Sequence, residues 1–261
     1  MSMQLRIVHR SEYVYDGPAM ASYNQARMAP AITPEQIVVH HRLDISPTPW
    51  THTYTDYFGT AVTVFEVVDP HELMTVTASS TVQVSRDGAT PEPSAGWEAY
   101  VAREVSDRWT EYLVLPDLVA PPVELATSVE EVGARSALPG EAALAVCRLA
   151  GEQAGACQEV VHLAIGGLRS LGIPARYVSG YVHPGDAPVV GETVAGESRA
   201  WLEWWDDGWR GWDPTADRAP DDRYVAIGHG RDYTDVPPLR GIYAGAQTAN
   251  LTVDVEVTRL A

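Results

Sequence analysis

Between residues 4 and 86 the chain consists of short runs rich in β-branched and aromatic residues, and this stretch leaves little room for a helical fold. The runs cover 4–15, 22–28, 36–45, 51–57, 61–68 and 73–84. Turn formers separate them: Asp16-Gly17-Pro18, Pro30, Pro34, Pro47-Thr48-Pro49, Phe58-Gly59 and Asp69-Pro70. Strands this short with this punctuation predict an antiparallel sheet or sandwich. The stretch 87–94, Asp-Gly-Ala-Thr-Pro-Glu-Pro-Ser, then reads as a linker. The expected organisation is a β-rich module over 1–90 and a second domain over 91–261.

The second part changes character. A helix is expected over 141–150, where Ala142, Ala145, Val146 and Leu149 recur at helical spacing. A clearer one runs from Cys157 to about residue 171. Its apolar stripe is Val160, Val161, Ala164, Leu168 and Leu171, with Gly172 as a stop and Pro174 beyond. A strand over 175–182 follows. The two cysteines differ in setting. Cys147 lies inside an Ala/Val/Leu helix and reads as a small core hydrophobe. Cys157 opens a helix after the small residues Gly155 and Ala156, where free N–H groups and the helix dipole favour a thiolate and can hold an oxyanion.

Composition narrows the partners. The net charge is −17, from 35 acidic against 18 basic residues, which disfavours nucleic acid and anionic membrane surfaces. No apolar run is long enough for a membrane span. The first residues carry no charged leader followed by an apolar block, so a cytoplasmic location is expected. Two cysteines ten positions apart make no disulfide framework. No CxxC or histidine-rich spacing points to a metal, and no cofactor is expected.

Five of the eight tryptophans fall between Trp201 and Trp212, around a hairpin whose parity can be worked out. Asp206-Asp207-Gly208 makes a three-residue loop. Trp205 then faces Trp209, Glu203 faces Gly211 and Trp201 faces Asp213. Side chains alternate, so Arg199, Trp201, Trp205 and Asp213 share one face. Arg199 and Asp213 become diagonal neighbours, about 7–8 Å apart at Cα. That spacing suits a base and its orienting carboxylate, and it equally suits an ordinary cross-strand ion pair. Trp201, on the same face, is the tryptophan best placed to line a substrate cleft. His162 lies five residues after Cys157 and is turned about 140° from it on the helix, so it reads as a buried supporting residue. His183, before Pro184, reads as a loop residue.

Several segments in order resemble the bacterial transglutaminase-like family. They are Cys157-Gln158-Glu159-Val160-Val161-His162-Leu163, the run from Leu168 to Tyr181 (LRSLGIPARYVSGY), Trp212-Asp213-Pro214-Thr215 and the tail from Gly230 to Pro238 (GRDYTDVPP). The N-terminal module is similar to the region that precedes these domains. The resemblance implies an α+β architecture: an antiparallel β module followed by a papain-like domain with the nucleophile helix packed on an antiparallel sheet. It implies a Cys-His-Asp triad in which Cys157 is the nucleophile and Asp213 the orienting acid, acting on peptide or protein substrates.

Two departures bear on activity. Where the family carries histidine before Ala200-Trp201, this chain has Arg199. The segment between Glu141 and Cys157 is also shorter than the family pattern. Arginine has no acceptor and a pKa above about 12, so it can neither take the thiol proton nor return one to a leaving amine. Two readings stand: a thiol acyl-transfer or amide-hydrolysing protein impaired at Arg199, or an inactive relative that binds peptides or proteins.

Overall fold

In this computed structural model, which describes residues 2–101, 103–245 and 247–261, the N-terminal strands gather around one long strand. β1 (Met3–Ala26) pairs antiparallel with β4 (Ala61–Val67), β5 (His71–Val84), β11 (Leu239–Gly245) and β12 (Thr248–Arg259). Its first half, to Tyr15, lies between β5 and β12. Its second half, from Ala19, lies between β4 and β11. β2 (Gln36–Ser46) adds to β5, β3 (Trp50–Thr55) to β4, and β7 (Thr193–Ala195) to β12. The turn expected at Asp16-Gly17-Pro18 is not formed. The chain runs through it as extended strand, with register shifts beside it where β1 changes partners. Proline lacks an N–H, so it fits where a ladder is interrupted.

The second sheet has the order β10 (Tyr224–Gly230), β6 (Ala175–Val182), β8 (Glu197–Trp205), β9 (Trp209–Trp212). Five α-helices precede it: α1 (Trp97–Val101), α2 (Arg103–Arg108), α3 (Val123–Arg135), α4 (Pro139–Gly151) and α5 (Cys157–Ser170). α5 buries Val160, Val161, Ala164, Ile165 and Leu168 against Ala175, Tyr177, Ala200, Leu202 and Trp204 of the sheet. Gly172 ends it with a left-handed φ of 77°. The architecture is α+β with antiparallel sheets. The expected boundary at residue 90 follows chain order but does not separate the sheets, because β7, β11 and β12 return to the N-terminal one. The pairings of β11 and β12 with β1 span more than 200 residues of sequence and leave no local signal.

Two devices join the layers. Met3, Leu5 and Ile7 of β1 pack with Tyr181, Val225 and Ile227 of the second sheet. Arg169, 4% exposed, donates to the carbonyls of Ala175, Val114 and Arg231 at 2.6–3.1 Å. Burial pulls its pKa down to about 10, so it stays charged at neutral pH and ties three segments around the end of α5.

His9 sits in the junction between the sheets, its Nδ1 2.8 Å from the Tyr181 hydroxyl. Burial lowers its pKa to about 4. An unfolded histidine takes up a proton near pH 6.5, so between pH 6.5 and 4 the unfolded chain binds more protons than the folded one. His9 therefore contributes stability above pH 6.5 that is lost as pH falls toward 4, up to roughly 3 kcal/mol. In urea titrations, the stability lost between pH 7.5 and 5 should be smaller in His9→Gln than in the unsubstituted chain.

Candidate functional site

α5 opens at Cys157 with Ala156 as its N-cap in extended conformation. Alanine offers no capping oxygen. Instead Glu159 Oε2 accepts the Ala156 N–H at 3.1 Å, the reciprocal half of a capping box. The N–H groups of Glu159 and Val160 are taken by the Ala156 carbonyl. Those of Cys157 and Gln158 have no acceptor among the described residues, as expected in a first helical turn. Residues 152–156 alone join α4 to Cys157. Cys157 is partly exposed, whereas Cys147 is buried and burial pushes its thiol pKa up.

The hairpin has the register its parity predicts: Trp205 pairs with Trp209, Glu203 with Gly211 and Leu202 with Trp212. At the turn Asp207 takes a left-handed φ of 50° and Gly208 a φ of 149°. Asp206 is buried and accepts the N–H groups of Ser94 and Ala95 at 3.0 and 2.7 Å. This anchors the end of the linker to the hairpin.

Arg199 and Asp213 meet. Arg199 Nε donates to Asp213 Oδ2 at 2.7 Å and Nη2 to Oδ1 at 3.1 Å. Asp213 is fully buried and accepts three more hydrogen bonds, from the Tyr224 hydroxyl at 2.9 Å and the N–H groups of Thr215 and Ala216 at 3.0 and 3.1 Å. The Asp213 carboxylate and hydrogen bond raise the Arg199 pKa against the opposing effect of burial. Gly180 lies opposite Arg199 on β6; a Cβ there would meet the Val225 carbonyl at 2.2 Å and the Trp201 ring at 2.6 Å. Trp201 is 1% exposed and packs edge-on against Tyr224 with ring centroids 5.5 Å apart. It shares the face of Arg199 and Asp213, lies outside the Cys157 cavity and borders a separate cavity with Glu203 and Trp209.

Cys157 and Arg199 line one cavity of about 270 Å³, and a thiolate at Cys157 would further favour the charged guanidinium. The opposite wall comes from His9, Ser11 and Tyr13 of β1 and Leu251 and Val253 of β12, residues that sequence reading missed. Their one sequence signal is on the odd face of β1, which turns from Met3, Leu5 and Ile7 to His9 and Ser11. His162 lies outside the cavity lining; its Nε2 accepts the Tyr233 N–H at 3.2 Å, and burial lowers its pKa. His183 is buried just beyond β6 and accepts the Gly185 N–H on Nδ1. Tyr13 and Tyr177 at the cavity are pushed above the usual phenol range by burial. His9, held neutral well below pH 7, is a weak base for a thiol. No group of three or more histidine, cysteine or carboxylate side chains among the described residues could hold a metal.

Comparison with known proteins bears on the family and the fold. Residues 5–83 match the bacterial transglutaminase-like N-terminal region and residues 125–214 the transglutaminase-like superfamily. A protein of Mycobacterium leprae is 40% identical over 285 aligned positions that cover 99% of both chains. The chain belongs to the bacterial transglutaminase-like family. A second relative of this transglutaminase-like chain, from Mycobacterium tuberculosis, is 33% identical across 97% of this chain and 91% of its own length. Both alignments are longer than the chain itself, so the relatives carry segments that it lacks. The fold is shared with a solved structure from Cytophaga hutchinsonii, provisionally described as a cysteine protease. Its TM-score is 0.74 at 18% identity, covering 100% of this chain and 92% of that one.

Two outcomes follow from the site. Asp213→Asn leaves a largely buried guanidinium short of its counter-charge and should cost about 3–5 kcal/mol, read as a fall in urea midpoint. Iodoacetamide at neutral pH should add first to Cys157, with Cys147 modified only on unfolding, as peptide mapping would show.

Proposed function

We propose that this transglutaminase-like chain acts in the cytoplasm on peptide or protein substrates that carry an activated acyl group, such as an ester or thioester, through an acyl-thioester at Cys157. The observation that carries this reading is the Arg199 guanidinium forked onto Asp213 at the edge of the Cys157 cavity. The Cys157 thiolate attacks the acyl carbon, the C–S bond forms and the leaving group departs. A phenolate leaves as an anion and needs no proton. An amine does need one, and Arg199 cannot supply it. Water or an amine then attacks the thioester carbon, sulfur leaves as thiolate, and the proton shed by the nucleophile passes to solvent. The free N–H groups of Cys157 and Gln158 can bind the oxyanion in both steps. A peptide-binding role without catalysis is the second reading, favoured by Asp213, whose acceptors are all occupied and leave it no part in proton transfer.

The test compares an activated phenyl ester with the matching amide, with intact-mass detection of the acyl adduct. The ester should acylate Cys157 and turn over slowly, the amide should not react measurably, and Cys157→Ala should abolish both adduct and turnover. Arg199→His should raise amide turnover, toward the 10²–10⁴-fold typical of acid–base assistance. Efficient amide turnover by the unsubstituted chain would refute the restriction. No adduct from any activated ester would leave binding alone.

A further inference from the structure

The wall facing Cys157 has a composition that thiol chemistry does not require. Along β12 the face turned toward the second sheet grades from Val257 and Val255, 1% and 9% exposed, to Val253 and Leu251, each 49% exposed. β1 pairs with it in register, Ser11 beside Val253 and Tyr13 beside Leu251. One continuous ribbon face thus seals the junction between sheets at one end and stands open to the cavity at the other. Two half-exposed aliphatic side chains there have no partner among the described residues that covers them.

The cavity is also poor in net charge. Apart from the reacting Cys157 sulfur, Arg199 is the only lining side chain among those described that carries a charge, and that charge is matched by Asp213 at 2.7 Å. A carboxylate seated against this wall would lose water and find no free counter-charge. His9, kept neutral by burial, adds none. At about 270 Å³ the space is near the lower end of small-molecule sites, enough for one side chain.

We propose that the β1–β12 ribbon forms a substrate subsite beside Cys157 that takes an uncharged side chain with apolar surface, and that Leu251 and Val253 decide which substrates fit. This rests on the reading of Cys157 as the acyl-accepting thiol, but its test does not depend on turnover. The full-length protein is alkylated with iodoacetamide, N-benzyl iodoacetamide and iodoacetate. Adducts at Cys157 are followed by peptide mapping, and each rate is divided by that of glutathione with the same reagent. Seating a benzyl group on the wall should favour N-benzyl iodoacetamide over iodoacetamide by about ten-fold, and iodoacetate should be slowest. Val253→Asp and Leu251→Asp should each reduce the benzyl preference at least about three-fold; two positions guard against one variant failing to fold. Thr252→Asp, on the opposite face of the same strand, should keep it. A benzyl preference near one, or a loss in Thr252→Asp equal to that in Val253→Asp, would overturn the subsite. A chain that shows the preference yet forms no thioester would overturn the acyl-transfer reading instead, and the reverse result would remove only the subsite.

Discussion

The structure depends on one strand serving two pairings and two faces at once. β1 exchanges its partners at Asp16–Pro18, β12 and β5 before, β11 and β4 after. Its odd face meanwhile packs onto the second sheet. Period-two alternation makes this demanding, since a slip of one residue would bury Arg6 and Arg10 and expose Leu5 and Ile7. The position of the Cys157 cavity follows from that register, because the face that excludes water at Leu5 and Ile7 is the face that meets the helix N-terminus at His9 and Ser11.

Arg199 and Asp213 show what a substitution can keep and what it changes. An orienting carboxylate and a base need a close, directed contact, and a forked guanidinium makes one at least as firmly. The scaffold around Asp213 is fully satisfied, with Tyr224 and two backbone N–H groups completing the carboxylate's partners. Arginine at this position fills the carboxylate's bonding capacity and matches its charge, and it offers no nitrogen that titrates near neutral pH.

Features governed by local rules could be read from sequence. The span of α5 follows its apolar spacing and its glycine stop. The hairpin register follows its three-residue loop, and with it the meeting of Arg199 and Asp213. Features set by distant pairing could not. Asp16-Gly17-Pro18 has the composition of a turn, yet the pairings on either side of it, with β12 and β5 before and with β4 and β11 after, keep the chain extended. Trp201 occupies the expected face, but which cavity that face borders depends on segments far away in sequence, such as the one at 86–92. The contribution of β1 and β12 to the cavity required knowing that the two ends of the chain meet.

That meeting also governs how the molecule is made. Leu5 pairs with Arg259 and Tyr13 with Leu251, so β1 waits for a partner strand synthesised more than 200 residues later. During elongation β1 carries an unpaired edge beside β5 while the entire helical region emerges, and such edges recruit other strands. Closure of the ribbon is a contact across more than 200 residues, the kind of pairing that slows folding. The cavity wall is completed only with that late pairing, so a nascent chain that has not yet made β12 holds the thiol without the surface that faces it.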